Sequence, residues 1–104
     1  MAVIEVTKEQ FAAEVLASEK PVLVDFNASW CGPCKMMKPV LAAFAAENSA
    51  VKVVAVDIDE EDELAEEYDV TSIPCLVVFE GGRETNRQVG FRNADQLAAM
   101  IGGA

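Results

Sequence analysis

Three stretches of the chain are almost continuously apolar: PVLVDFN (21–27), VKVVAVDI (51–58) and CLVVFE (75–80). Runs of this length, rich in valine, are expected of strands covered on both faces rather than on one. A shorter apolar stretch, VIEV (3–6), reads as a first strand. Between the strands the pattern changes to helical. Thr7 and Gln10 have the spacing of a capping box and open a helix running to about Ser18. A second helix begins near Cys31 and continues to about Glu47, with Pro39 expected to kink it because proline supplies no amide hydrogen. Asp59 stands where it can cap a third helix ending near Tyr68. Gly81-Gly82 separates CLVVFE from RETNRQV (83–89) and marks a hairpin turn. Asn93 and Gln96 repeat the capping pattern before ADQLAAMI, and Gly102-Gly103 lets that last helix fray. The order β-α-β-α-β-α-β-β-α predicts an α/β fold: a mixed five-stranded sheet flanked by four helices, with a right-handed crossover between the second and third strands. Repeats and linker-like tracts are absent, so residues 1–104 are expected to form one domain.

Charge narrows what such a domain can bind. Eighteen acidic against eight basic residues give a net charge of −10, which repels phosphate backbones and anionic lipid. Nucleic-acid and membrane partners are therefore not expected. No apolar run approaches the roughly 18 residues needed to cross a bilayer. The opening MAVIEVTKEQ has neither a basic leader nor an apolar signal core, so a cytoplasmic address is expected. In that compartment disulfides are usually catalytic or transient. Histidine is absent, which removes Cys–His and Ser–His–Asp nucleophiles and the commonest metal ligand.

The remaining chemistry concentrates in SWCGPCK, residues 29–35. A structural zinc site wants four ligands, and the chain has three cysteines and no histidine. A staple closing so small a loop would gain little from loop entropy. Redox exchange fits better, because the pair lies where a buried strand feeds a helix. Unpaired amides and the helix dipole at that end favour an anion, so the Cys31 thiol should ionise readily, with Lys35 adding positive charge nearby. Cys34 lies three residues inside the helix and is more shielded. Cys31 is thus the expected attacking sulfur and Cys34 the resolving one, with Pro33 fixing the first helical turn. Asp25 stands in the middle of an apolar strand. Buried there, its pKa should rise by desolvation, which suits a base taking a proton from Cys34 directly or through water.

VDFNASWCGPCK, SIPC and QVG, taken together and in this order, resemble the thioredoxin family over essentially the whole chain. The resemblance implies a thioredoxin-like fold and a protein-disulfide reductase with no cofactor beyond the Cys31–Cys34 disulfide. Its partners would be disulfide-containing protein substrates and a flavin-dependent thioredoxin reductase as electron donor, and the protein is expected to be a monomer. Residue by residue, it implies a nucleophilic Cys31, a resolving Cys34 and a buried proton acceptor, Asp25. It further implies a cis Ile73–Pro74 bond packed against the cysteines, with the backbone of Ile73 pairing to an extended substrate. Trp30, Gly32, Pro33, Ile73, Pro74 and Gly90 would form a flat apolar docking surface.

Four positions depart from the family pattern: Asn27 replaces a usual tryptophan, Ala55 a lysine, Cys75 a threonine, and Phe91 a small residue. Without a cation at position 55 the pKa of Asp25 is expected to rise further, while Asn27 is expected either to shape the loop or to admit water that moderates it. Cys75 is expected to be an inert packed thiol, and Phe91 to enlarge the docking patch. Two other readings stay open. A disulfide oxidase or isomerase would want a basic group to stabilise the thiolate, which Gly32-Pro33 does not offer. A binding module on the same fold would leave the thiols idle.

Overall fold

The computed structural model describes residues 1–103. Its elements follow the expected order: β1 (Ile4–Glu5), α1 (Lys8–Phe11), β2 (Val22–Asn27), α2 (Gly32–Glu47), β3 (Lys52–Asp57), α3 (Asp62–Glu67), β4 (Cys75–Glu80), β5 (Arg83–Val89) and α4 (Ala94–Met100). The five strands form one sheet in the order β1-β3-β2-β4-β5. β1 and β2 run parallel to β3, whereas β4 is antiparallel to both β2 and β5. This is the mixed sheet expected from the alternation of elements, with β2 at its centre.

Residues alternate between the two faces of each strand, and that alternation builds two apolar layers. Val22, Val24 and Phe26 of β2 join Val77 and Phe79 of β4, and against them pack Phe11, Val15 and Leu64. On the other face Leu23, Leu76 and Val78 meet Met37, Leu41 and Phe44 of α2 and Leu97 and Met100 of α4. The central strands are covered on both sides, which is why their sequences read as continuous apolar runs.

Local signals place most boundaries. Asn93 Oδ1 accepts from the Gln96 amide while Gln96 Oε1 accepts from the Asn93 amide, both at 2.9 Å, so the second capping box forms as spaced. At the first, Gln10 Oε1 accepts from the Thr7 amide at 3.1 Å. Gly81 and Gly82 take φ of 61° and 80°, the left-handed pair a two-residue hairpin turn needs. A side chain at Gly82 would meet the Leu16 carbonyl oxygen at 2.9 Å.

One expectation is corrected and two are refined. The first helix runs to Leu16, close to the expected end near Ser18, but beyond Phe11 it widens into a π-helical turn, Ala12–Leu16, and Ser18 Oγ then bonds the chain at Lys20 in a turn. Asp59 does not cap α3, which begins three residues later at Asp62. The intervening backbone is held by Asp57 Oδ1, which accepts from the amides of Asp59 and Glu60 at 2.8 and 3.4 Å and makes a turn there instead. α4 closes at Ile101, whose backbone is extended, and Gly102 follows with φ of 85°, so the helix stops at the glycines as expected. Ala104, the last residue of the expected domain, lies outside the described residues.

Candidate active site

β2 ends at Asn27, and three residues carry the chain to Cys31, the N-cap of α2. Cys31 has the extended backbone of an N-cap residue, and Pro33 sits in the first turn, where a missing amide hydrogen costs no helical bond. The Cys34 amide points back at Cys31 Sγ, 3.3 Å away, so one of the helix's orphan donors is aimed at sulfur. Cys31 and Cys34 are joined as a disulfide with their Cα atoms 5.2 Å apart. Of the two, Cys31 is the more exposed, at 6% against 2%.

The pair lies in a small apolar nest of its own, with Ala28, Ile58 and Ile73. The Ile73–Pro74 bond is cis, as the resemblance implied, and the Ile73 carbonyl oxygen is 3.9 Å from Cys31 Sγ. Gly90 follows on the same side: its amide donates to the Pro74 carbonyl at 2.8 Å, tying the end of β5 to the loop before β4. Around the cysteines Trp30 is 66% exposed, and Gly32 and Pro33 are also exposed, while Ile73 and Gly90 are half-buried and Pro74 is buried. Met36, Val89 and Phe91 add exposed apolar surface, of which only Phe91 was singled out beforehand. The Trp30 indole N–H donates to Asp59 Oδ2 at 2.8 Å. Asp59 therefore holds the active-site indole rather than a helix end, a role no local sequence signal announces.

Asp25 is 3% exposed on the centre of the sheet. Burial pushes its pKa up to about 7, against the opposing pulls of a hydrogen bond from Asn27 and of the Lys38 charge. Asn27 Nδ2 donates to the Asp25 backbone oxygen at 3.0 Å and to Oδ2 at 3.3 Å. The moderation expected of Asn27 thus has a direct route, a donor on the carboxyl itself. Asp25 Oδ1 has no partner among the described residues. It borders a cavity of about 300 Å³ whose walls include Asn27, Lys38, Leu41, Ala55 and Asp57. Ala55 sits beside Asp25 in the sheet register, so its small side chain leaves that space open. Position 55 brings no cation, as read from sequence, but Lys38 from α2 does. Lys35, exposed like Lys38, does not line that cavity.

Cys75 is 1% exposed and pairs with Phe26 across β2 and β4, on the sheet face away from Asp25. Burial pushes its thiol pKa up, only partly countered by Arg87, whose Nη1 lies 3.9 Å from the sulfur. It is a free, packed thiol, as expected of cysteine at the start of a core strand. Among the described residues no cluster of three or more potential metal ligands occurs, and no helix is long and apolar enough to cross a membrane.

Comparison with known proteins agrees with this geometry. The family model described as Thioredoxin matches residues 2–102. A thioredoxin of Chlamydia trachomatis is 47% identical over 96 residues, covering 92% of each chain. One of Mycobacterium bovis is 50% identical over 97 residues, 92% of this chain and 84% of that protein. A bifunctional thioredoxin reductase/thioredoxin of Mycobacterium leprae is 51% identical over 95 residues, which is 90% of this chain but only 21% of that longer protein. With two cysteines joined at the start of α2 and relatives of this kind along nearly its full length, the chain belongs to the thioredoxin family and is a thiol–disulfide oxidoreductase, a protein-disulfide reductase.

Proposed function

We propose that the reduced protein attacks target disulfides through Cys31 and releases them through Cys34. The Cys31 thiolate attacks one sulfur of the target, forming a mixed disulfide and expelling the first target thiolate. Cys34 then passes its proton to the Asp25 carboxylate and attacks Cys31 Sγ. The second target thiolate leaves, and the protein is left with the Cys31–Cys34 disulfide. Two electrons pass to the target, whose thiolates take up protons from solvent. The observation that carries this assignment is the Cys34 amide aimed at Cys31 Sγ, 3.3 Å away, at the head of a 16-residue helix. A donor and a helix dipole placed there stabilise a thiolate on Cys31 and not on Cys34.

Docking falls to the face around the pair: Trp30, Gly32, Pro33, Ile73, Pro74 and Gly90. An extended target segment pairs with the Ile73 backbone, whose carbonyl oxygen already lies 3.9 Å from Cys31 Sγ. Electrons return from a flavin-dependent thioredoxin reductase, a partner suggested by the relative in which the two activities share one polypeptide. The protein works as a cytoplasmic, single-domain monomer with no cofactor beyond its own dithiol, and its charge of −10 keeps it from nucleic acid and membrane.

Trapping tests the order of attack. Cys34→Ser should accumulate a stable mixed disulfide with a model protein disulfide, whereas Cys31→Ser should accumulate none, and alkylation of the reduced wild type should strike Cys31 first. Faster alkylation of Cys34, or trapping by Cys31→Ser, would reverse the roles. Reduced protein that turns over no protein disulfide at all would instead point to a binding module with idle thiols.

A further inference from the structure

The cavity beside Asp25 has the size and the walls of a ligand site. It measures about 300 Å³, the low end of the range of small-molecule pockets and room for a body of one ring. Val3, ahead of β1, joins Leu41 and Ala42 of α2 and Ala55 of β3 in giving it apolar walls. Leu41 and Asp25 are buried while Glu5 and Ala42 are exposed, so the cavity leads from solvent toward the centre of the sheet. At the buried end stands Asp25, 3% exposed and the only charged side chain in the core among the described residues. Its Oδ1 has no partner among those residues, and such an oxygen costs free energy until a donor reaches it. None of the residues assigned to docking borders this cavity, so a ligand here and a target disulfide take different surfaces. We propose that the cavity is a binding site for a small organic cation, an apolar ring against Leu41 and Ala55 that carries an ammonium donating to the Asp25 carboxyl.

Charge selects the class of ligand. Glu5 of β1 and Asp57 of β3 border the cavity with Asp25, against a single cation, Lys38. Glu5 makes no ion pair among the described residues. A neighbouring cavity of about 180 Å³ shares Glu5, Ala55 and Asp57 and adds Glu60 and Glu61. The potential around the opening is therefore negative, which repels anions and concentrates cations. A bare metal ion fits this place poorly. No cluster of three or more potential metal ligands occurs among the described residues, and much of the wall is apolar. An ammonium on a ring suits both halves of the cavity. The ring leaves water against the apolar walls, and its charge-assisted donor meets the carboxyl. Binding of this kind requires nothing of the order in which the cysteines act, so it stands apart from the proposed mechanism.

The probe is benzylammonium, with benzyl alcohol as a neutral molecule of the same shape. Each is titrated into the oxidised protein at pH 8, above the Asp25 pKa of about 7, and amide shifts are followed by NMR. Benzylammonium should bind with a dissociation constant on the order of 1 mM, the reach of so few atoms. Its shifts should centre on Val3, Asp25, Leu41 and Ala55. Benzyl alcohol should bind roughly tenfold more weakly, and Asp25→Asn should weaken the cation by a similar factor, the worth of a hydrogen bond to a charged group. Ala42→Phe, which places a ring at the exposed end of the cavity and leaves Asp25 in place, should also weaken it. An absence of saturable shifts up to tens of millimolar, or shifts centred on Trp30 and the docking face, overturns the site. Equal binding of benzyl alcohol shows that the ring alone is recognised and overturns the ligand class. Undiminished binding of the cation by Asp25→Asn or by Ala42→Phe shows attraction to the acidic surface only, and overturns the site as well.

Discussion

Asp25 and Phe26 are neighbours on the central strand and face opposite sides of the sheet. Phe26 points into a closed layer of rings, in which the Phe79 centroid lies 5.7 Å from Phe11 and 5.4 Å from Tyr68, both edge-on. Asp25 points to a cavity and leaves one oxygen without a partner among the described residues. Both side chains are essentially inaccessible, yet one is buried among complementary surfaces and the other against its own electrostatic preference. The closed face holds the fold together. The open face sacrifices stability to keep a carboxyl buried, the proton acceptor of the proposed mechanism, and the contrast can be broken from either side.

The largest effect is expected on the closed face. Phe79→Ala should destabilise the protein by about 3–5 kcal/mol, the usual cost of emptying an aromatic site in a packed core. Denaturant unfolding at pH 7 measures it. A loss below about 1 kcal/mol would mean that the ring layer collapses to fill the gap and is not the rigid side of the pair.

On the open face the sign should reverse. Asp25 has a folded pKa of about 7 against a reference value of 3.8, so between those limits the native state holds a proton that the unfolded chain has already lost. Stability contributed by this group therefore falls as pH rises through that window and is flat above it. Asp25→Ala removes the dependence. It should be more stable than the wild type by roughly 3–4 kcal/mol at pH 8, with the gap closing toward pH 4. Equal stabilities at pH 8 would show that the buried carboxyl is not under strain from desolvation.

The smallest effect separates two ways in which Asn27 acts on Asp25. If its amide donor stabilises the carboxylate, Asn27→Ala should raise the Asp25 pKa, by roughly a unit or less. If its role is only to leave room for water, the smaller alanine admits more water and the pKa should hold or fall. NMR titration of Asp25 reads the sign directly. The 3.3 Å contact to Oδ2 favours the rise.

Much of the site is local in sequence and was readable there. Cys31, Cys34, Gly32 and Pro33 belong to one strand-to-helix junction, and the burial of Asp25 follows from the apolar run around it. Asp59 and Lys38 were misread or missed because their partners are far along the chain. Asp59 sits where a cap would stand, but the indole of Trp30 takes one of its oxygens and Asp57 closes the turn in its place. Lys38 looks like any exposed lysine on a helix, and nothing local says which strand its face will meet.

What the sequence determined by itself is the set of elements and where the reactive pair falls among them. Apolar runs, capping boxes and the Gly81-Gly82 turn act over a few residues, so they specify strands, helix starts and a hairpin without reference to the rest of the chain. Only the tertiary structure decided what surrounds the pair. The register of β2 against β3 put Ala55 beside Asp25 and opened the cavity, and the seating of α2 on the sheet brought Lys38 to its wall. The loop before β4 carried Ile73 to within 3.9 Å of Cys31 Sγ, across 42 positions of sequence. Such contacts depend on how whole elements pack, because a charge or an unpaired oxygen acts through space on whatever the fold places opposite it.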